Sequence, residues 1–493
     1  MAKETQKKDG LSLVDLFTLG FGAIIGVGWS VTLNNMFING GGPVPAILGF
    51  TIATALFIPV ALCYAELTPA MPVAGGVIAY AYKAMGTKMS FVSGWFVAMA
   101  YISILPWEAI AINNILAFIF PSLSTGTVLY TIAGSDIYLN ALVVGLIIAL
   151  LVVWLNWRGV QGAATMQTFL TFFLIGGSAL CVAFALLKFD ASHIQPIYSV
   201  MAGKSHTSFL TGVLTMLALA PFYYSGFDTI PQGAEEAGGV DPRSLGKVIV
   251  GALLSAGVFY IAIFLSVGYS YPWQEFIGFP KPALSNLMAA LYSGALGQFL
   301  FWLSLAATLA GLVTTWNGFF IAGSRLLLGM GRARLLPAFF ATVHPKYKTP
   351  YGGSIFCSIA MLAGPFLGIG LVDPLTILGS TGFVVGWGMA CLSAVMLYKK
   401  APDMPRPYRM PGGVATAWTG TAVCALMFLN CVIPGLPGYM GSIGMSVFIA
   451  WCVLGLVFYT TTSKYRAAIS EEERMAELFK ASRPKEEPQD AAG

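Results

Sequence analysis

Few side chains in this sequence can hold a charge, and several of them fall where a charge is costly. Only 10% of the 493 residues are Asp, Glu, Lys or Arg, yet Glu66, Glu108, Asp228, Glu235 and Glu236 all sit in or beside long apolar runs. An ionisable group midway along a membrane helix costs at least about 2.5 kcal/mol on insertion scales, which makes each a functional candidate by default. Asp228 follows Pro221 and Gly226 in ALAPFYYSGFDTIPQGAEE. It is a functional candidate there; the structural alternative is a carboxylate that ties down loose backbone amides. Glu108, in LPWEAIAINN, suits contact with the side chain or ammonium of a substrate, or with buried donors of a neighbouring helix. Glu66, Glu235 and Glu236 lie near helix ends, where ion pairs with arginines at an inner gate are the expected use. Asn113 and Asn114 are polar within the same run as Glu108 and suit bonds between helices.

Backbone can do chemistry as well. GFGAIIGVGWS places Gly20, Gly22, Gly26 and Gly28 in the middle of the first apolar run. Glycine costs about 1 kcal/mol per helical residue relative to alanine, so such a cluster marks either close helix packing or an unwound turn. The sixth run is interrupted too, by Pro221 and Gly226. Paired broken helices in corresponding positions of two halves point to a transporter built from inverted repeats. Non-helical backbone at that depth is tolerated only where it is buried in protein or lines a cavity.

The elements that hold these groups are membrane spans. The chain is 57% hydrophobic, whereas a soluble domain carries roughly 25% charged residues, and a soluble enzyme is excluded. A crossing helix needs roughly 20 apolar residues. Runs of that kind fall near 12–38, 43–67, 90–119, 137–157, 164–187, 208–237, 245–271, 297–328, 352–371, 375–398, 414–435 and 440–462. They are continuous, without the period-two alternation of barrel strands, so the expected class is an all-α integral membrane protein with twelve spans. Residues 72–88 read as an interfacial or re-entrant helix, residues 281–293 as a short outer helix and candidate lid, and the chain from Lys464 as a charged helix giving way to disorder.

Lys and Arg accumulate on the cytoplasmic side of membrane proteins. With both termini inside, all but Lys188, Lys204 and Lys281 of the 26 basic residues fall on that side. The net charge of +5 then reflects topology, and no nucleic-acid partner is implied. The N-terminus lacks a cleavage signal and is expected to be retained. The cysteines suggest neither a disulfide framework nor a zinc site, and the expected location is a cell (plasma or inner) membrane.

As a set and in this order, GFGAIIGVGWS, Glu66 in CYAEL, PVAGGVIAYAY, FYYSGFDTIPQGAEEA with Asp241, Pro242 and Arg243, GSRLLLGMGRARLLP and TPYGG resemble the amino acid, polyamine and organocation (APC) permease superfamily. The resemblance covers about residues 10 to 400. It implies a LeuT-type fold of 5+5 inverted repeats with discontinuous first and sixth helices. The transport core would be 12–400, with repeats at about 12–187 and 208–398, preceded by a cytoplasmic N-terminus (1–11) and followed by peripheral helices (401–463) and a cytoplasmic tail (464–493). It also implies a substrate held at the membrane midplane: amides of Gly26, Val27 and Gly28 on a carboxylate at a positive helix end, carbonyls of Ile24, Phe222 and Ser225 on an α-ammonium, and the Phe222 ring as a gate, with Tyr223 and Tyr224 beside it. Val27 stands where many relatives have serine, which leaves recognition there to backbone alone.

Proton-coupled relatives often carry a lysine in the fifth span; TMQTFLTFFLIGGSALC has none. Sodium-coupled relatives of the fold have adjacent hydroxyls in the eighth span, where this chain has Thr314 and Thr315. The implied sodium ligands are the carbonyls of Gly22, Ile25 and Gly311 with those two hydroxyls; threonines also bond back to their own helix turn. Proton coupling through Asp228 or Glu108 and uncoupled exchange stay open. The expected activity is secondary transport of an amino acid, with an amine or polyamine permease or a transport-fold sensor as alternatives. No intramembrane protease or hydrolase motif occurs, and neither a cofactor beyond a coupling ion nor an obligate protein partner is expected; the partners are a small-molecule substrate and membrane lipid.

Overall fold

The structure, a computed structural model, describes residues 10–479 except 74, 158, 159, 205, 238 and 348; the side chains of 160–164 and 236 also lie outside the description. Among the described residues, eleven helices are long and apolar enough to cross a membrane, and a twelfth apolar helix, Tyr351–Phe366, is shorter. In chain order the spans are Leu13–Ile24 continued by Gly28–Val31 and Leu33–Gly40, then Pro43–Ala70, Thr87–Ile119, Leu139–Trp157, Val160–Leu186, and Phe209–Tyr224 continued by Phe227–Thr229 and Ile230–Gly233. They go on with Pro242–Ser270, Gly294–Arg332, Tyr351–Ala363, Val372–Lys400, Val414–Val432 and Gly441–Thr461. Eleven of the twelve expected runs are helices long enough to cross, and the ninth is the shorter one.

Local signals set the helix ends. Span one starts at a capping box, in which Asp15 N–H donates to Ser12 Oγ (3.2 Å) and Ser12 N–H to Asp15 Oδ2 (3.0 Å), so two of the unpaired first-turn donors find acceptors. Span seven starts at Asp241, whose carboxylate takes the N–H groups of Arg243 and Ser244, with Pro242 at the first helical position, where no N–H is needed. The Asp-Pro-Arg motif is thus a helix cap.

Two connections differ in detail from the sequence reading. The ninth run breaks at Gly364 and Pro365 into two short 3-10 turns, Gly364–Phe366 and Ile369–Leu371. Between spans three and four an antiparallel pair, Val128–Ile132 with Ser135–Tyr138, interrupts the otherwise helical chain. Its turn residues Ala133 and Gly134 both have positive φ, as a tight two-residue hairpin turn requires. Tyr130 OH donates to Phe366 O and Gly370 N–H to Ser135 Oγ, so the hairpin rests on the 3-10 turns. The expected re-entrant and outer helices are Val77–Met85 and Ala283–Leu291.

The charged tail forms Ser463–Ala467 and Glu471–Leu478; the expected disorder beyond residue 479 lies outside the described residues. The second of these helices docks on the membrane domain. Buried Arg474 donates to Ala333 O (3.1 Å), the cap of span eight, and to Thr87 Oγ1 (3.2 Å), the start of span three. Tyr82 of the re-entrant helix donates to Glu471 O (3.2 Å). Spans three and twelve are joined by a reciprocal pair: each indole N–H of Trp95 and Trp451 donates to the other residue's carbonyl (3.0 and 3.1 Å).

Candidate substrate-binding site

Span one stops at Ile24. Ile25 leaves helical geometry (φ −95°, ψ 85°), its N–H still reaching Phe21 O, and the helix resumes at Gly28. Among the described residues, the amides of Gly26, Val27 and Gly28 make no backbone hydrogen bond. Gly26 sits at a close approach: a Cβ there would lie 2.7 Å from Glu108 Oε1 of span three and 3.0 Å from Thr315 Oγ1 of span eight.

Span six stops at Tyr224, and Ser225 is extended. Gly226 has φ 133°, and a Cβ on it would lie 2.5 Å from Ile24 N, so the two breaks touch. Asp228 holds this second break in shape: Oδ1 accepts Gly226 N–H (2.9 Å) and Oδ2 accepts Tyr101 OH of span three (2.9 Å). It does not line the cavity between the breaks, and its contacts are those of a carboxylate tying down loose backbone. Ser225 Oγ donates to Phe222 O (2.6 Å), which leaves that carbonyl a second lone pair.

That cavity is about 20 Å³, walled by Ile24, Gly26, Val27, Gly28, Phe222, Ser225, Glu108 and Thr315. A space of this size holds about one water. Glu108 is 2% exposed and its Oε2 has no hydrogen-bond partner. The Phe222 ring stands 5.5 Å from Trp107, whose indole N–H donates to Thr376 Oγ1 of span ten (3.0 Å). Tyr223 lines the cavity, its OH 3.2 Å from Thr32 Oγ1. Tyr224 instead points into span two, where its OH meets Thr54 Oγ1 (2.6 Å). Ile104, Tyr260 and Phe319 complete the wall. No motif marked these three, because they come from different helices and only the fold brings them together.

Of the five residues expected to hold a cation, Thr315 meets Gly22 across spans eight and one, whereas Thr314 bonds back to Gly311 in its own helix turn. Thr315 Oγ1 is 3.0 Å from Gly22 O, and Thr314 Oγ1 is 2.9 Å from Gly311 O. A Cβ on Gly311 would lie 3.1 Å from Ile25 O and 2.5 Å from Gly26 O. Neutral oxygens of this kind suit a hard monovalent cation, and in this conformation the two hydroxyls donate to carbonyls of the same set. Span five faces this region with Gln167, which the sequence reading passed over. Among the described residues no three His, Cys, Asp or Glu side chains converge as a metal site.

Toward the end carrying the C-terminal helix, Glu66 forms a buried ion pair with Arg406 (Oε1 to Nε, 3.1 Å), while its Oε2 accepts Tyr398 OH (2.9 Å) and Met410 N–H (2.8 Å). This is the pairing with a basic residue that its position suggested. Glu235 is exposed, and the Glu236 side chain lies outside the described residues. Asn114 donates within its own helix, to Ile110 O (2.7 Å), and Asn113 packs on Gly145 of span four. The opposite end gathers Lys204 and Asp373 (3.6 Å). Burial lowers the pKa of nearby Lys281, while Asp373 draws it back up.

Two interrupted helices meeting over a buried cavity within a bundle of membrane spans define the class: a membrane transporter of the LeuT-type architecture. The chain belongs to the amino acid permease family, which it matches over residues 11–458. It is 25% identical over 480 residues to the branched-chain amino acid permease BcaP of Bacillus subtilis, covering 95% of this chain and 96% of that protein. It is also 25% identical over 475 residues to the methylthioribose transporter of the same organism (94% and 95% covered). With the aspartate-proton symporter of Bacillus subtilis it shares 24% over 419 residues (84% and 77% covered).

Proposed function

We propose that the protein is a secondary transporter that carries an amino acid with an uncharged, apolar side chain by alternating access. The observation that carries this reading is the distribution of polarity around the cavity. The free amides and the only carboxylate of the wall, Glu108, cluster with Thr315 at the break in span one, and the remainder of the wall is mostly aliphatic and aromatic: Ala23, Ile104, Trp107, Phe222 and Phe319, with Tyr223, Tyr260 and Ser225 as its polar members. Backbone groups of a substrate suit the first region: its carboxylate the amides of Gly26, Val27 and Gly28, its ammonium the carbonyls of Ile24, Phe222 and Ser225. An apolar side chain suits the second. The name of the branched-chain relative agrees with this; that of the methylthioribose relative shows that the family's cargo varies.

Phe222 closes over the ligand, and the two halves of the core, 12–187 and 208–398, act as inverted repeats in a cell membrane with both termini cytoplasmic. Sodium, held by Gly22, Ile25, Gly311, Thr314 and Thr315, would supply a fixed positive charge that ties span one to span eight. A second reading of the coupling rests on Glu108, since a buried carboxylate oxygen without a donor is costly to keep ionised. There Glu108 carries a proton in place of the sodium ion.

The test is a thermal-shift screen of purified protein against amino acids and amines, in sodium and in choline. A ligand at about 100 times its Kd stabilises the fold by roughly 2.7 kcal/mol. Branched-chain and other apolar amino acids are expected to stabilise it. Stabilisation by amines alone would replace the amino acid reading with an amine permease, and binding without uptake into vesicles would indicate a sensor. Thr315→Ala is expected to weaken any sodium dependence; unchanged dependence would remove sodium from that ligand set.

A further inference from the structure

We infer that Gln167 is a positioning residue of the transport cycle, clamping the first half of span one to span eight. The inference rests on the alternating-access reading above. Gln167 is 2% exposed. Its Nε2 donates to Thr314 O of span eight (3.1 Å) and lies 3.5 Å from Thr18 O of span one, while its Oε1 accepts Asn317 Nδ2 of span eight (3.1 Å). One turn on, Thr171 Oγ1 donates to the same Thr18 carbonyl (3.3 Å). Next to Gln167, Thr168 Oγ1 donates to Asp15 Oδ1 (3.1 Å).

Span five therefore has two faces. Gln167 and Thr171, four residues apart, share one side, and both are buried. Phe169 and Phe172 on the other side are 69% and 52% exposed, as residues facing lipid would be. The seam is tight: a Cβ on Gly22 would come within 2.5 Å of Thr171 Oγ1 and 2.8 Å of Gln167 Nε2.

What makes the seam more than packing is which half of span one it holds. Among the described residues, every bond from this seam to span one lands on residues 15–18, before the break at Ile25, and none reaches the half that starts at Gly28. The break uncouples the two halves. For the cavity to open on the side of the C-terminal helix, residues 13–24 must move away from the second half of span six, where a Cβ on Gly20 would lie 2.6 Å from Ile230 Cδ1 and one on Gly233 3.3 Å from Leu19 Cδ2. Such a movement strains the bonds to Thr18. Neutral hydrogen bonds have small net free energies, so a clamp made of them can hold the closed state and still release it on the timescale of domain motions.

The test measures gate opening without substrate. Leu19→Cys is placed in protein carrying Cys452→Ser, since Cys452 is the one native cysteine that is not buried. The protein is reconstituted in vesicles and labelled with a membrane-impermeant maleimide from the side of the C-terminal helix. Gln167→Met keeps the length of the side chain and removes the amide. It is expected to raise the labelling rate at position 19 roughly tenfold, the equivalent of losing one or two such bonds, with normal elution on gel filtration. Thr171→Val, isosteric and expected to fold, should raise it about threefold by the same arithmetic. The six buried native cysteines should stay unlabelled in both. Unchanged labelling at position 19, or equal labelling of the buried cysteines, overturns the inference. Uptake by the unmodified protein is measured separately, so failure of the transport reading is seen on its own.

Discussion

Glu108 lies 2.7 Å from where a side chain on Gly26 would begin, and one of its oxygens has no partner. Glu108→Gln keeps the shape and removes the charge. Transport against a gradient is expected to fall at least tenfold, about 1.4 kcal/mol, while exchange of substrate across the membrane is retained if Glu108 carries a coupling proton. Loss of both, measured by counterflow in vesicles, would assign Glu108 to substrate binding. At this scale the sequence was informative where chemistry meets a membrane: a carboxylate and a run of glycines stand out against an apolar background. It was silent on Tyr260, Ile104 and Phe319, since an apolar residue in an apolar helix carries no mark of which way it faces. Gln167 was legible in principle, as a buried polar group in a span, but a single amide is a weaker outlier than a charge. Asp228 illustrates the reverse: its cost is visible in sequence, yet its bonds to Gly226 and Tyr101 show it holding backbone.

The interruption of span six depends on Gly226. Its φ of 133° disfavours any side chain, and its neighbours at 2.5 and 2.9 Å, Ile24 N and Ala23 C, are backbone and cannot swing aside. Gly226→Ala is expected to cost about 1–3 kcal/mol through strain, seen as a lower melting temperature and loss of uptake. Gly176→Ala in span five meets nothing within 4 Å and should leave both unchanged; equal effects of the two would discount the close approach. The spans themselves were read correctly because length and hydropathy decide them. The hairpin at 128–138 and the division of the ninth run at Gly364 were not, since they depend on each other: the strands rest on the 3-10 turns through Tyr130 and Ser135, a contact between segments far apart in the chain.

The whole molecule is tied together at its basic end. Arg474 brings the ends of spans three and eight to one guanidinium, using the carbonyl of Ala333 at the negative end of a helix. Arg474→Ala is expected to destabilise the protein by about 1–3 kcal/mol and to speed hydrogen exchange in Glu471–Leu478; protection unchanged from the parent would show that the helix docks by its apolar side alone. The small cavity bears on the membrane as well as on the cargo. A potential of 100 mV acts on each elementary charge with about 2.3 kcal/mol, and any continuous wet path would let that energy drain away as current. With the centre narrowed to about 20 Å³, the site has room for about one water, too little at that point for such a path, and a membrane holding the protein in this conformation is expected to keep its voltage.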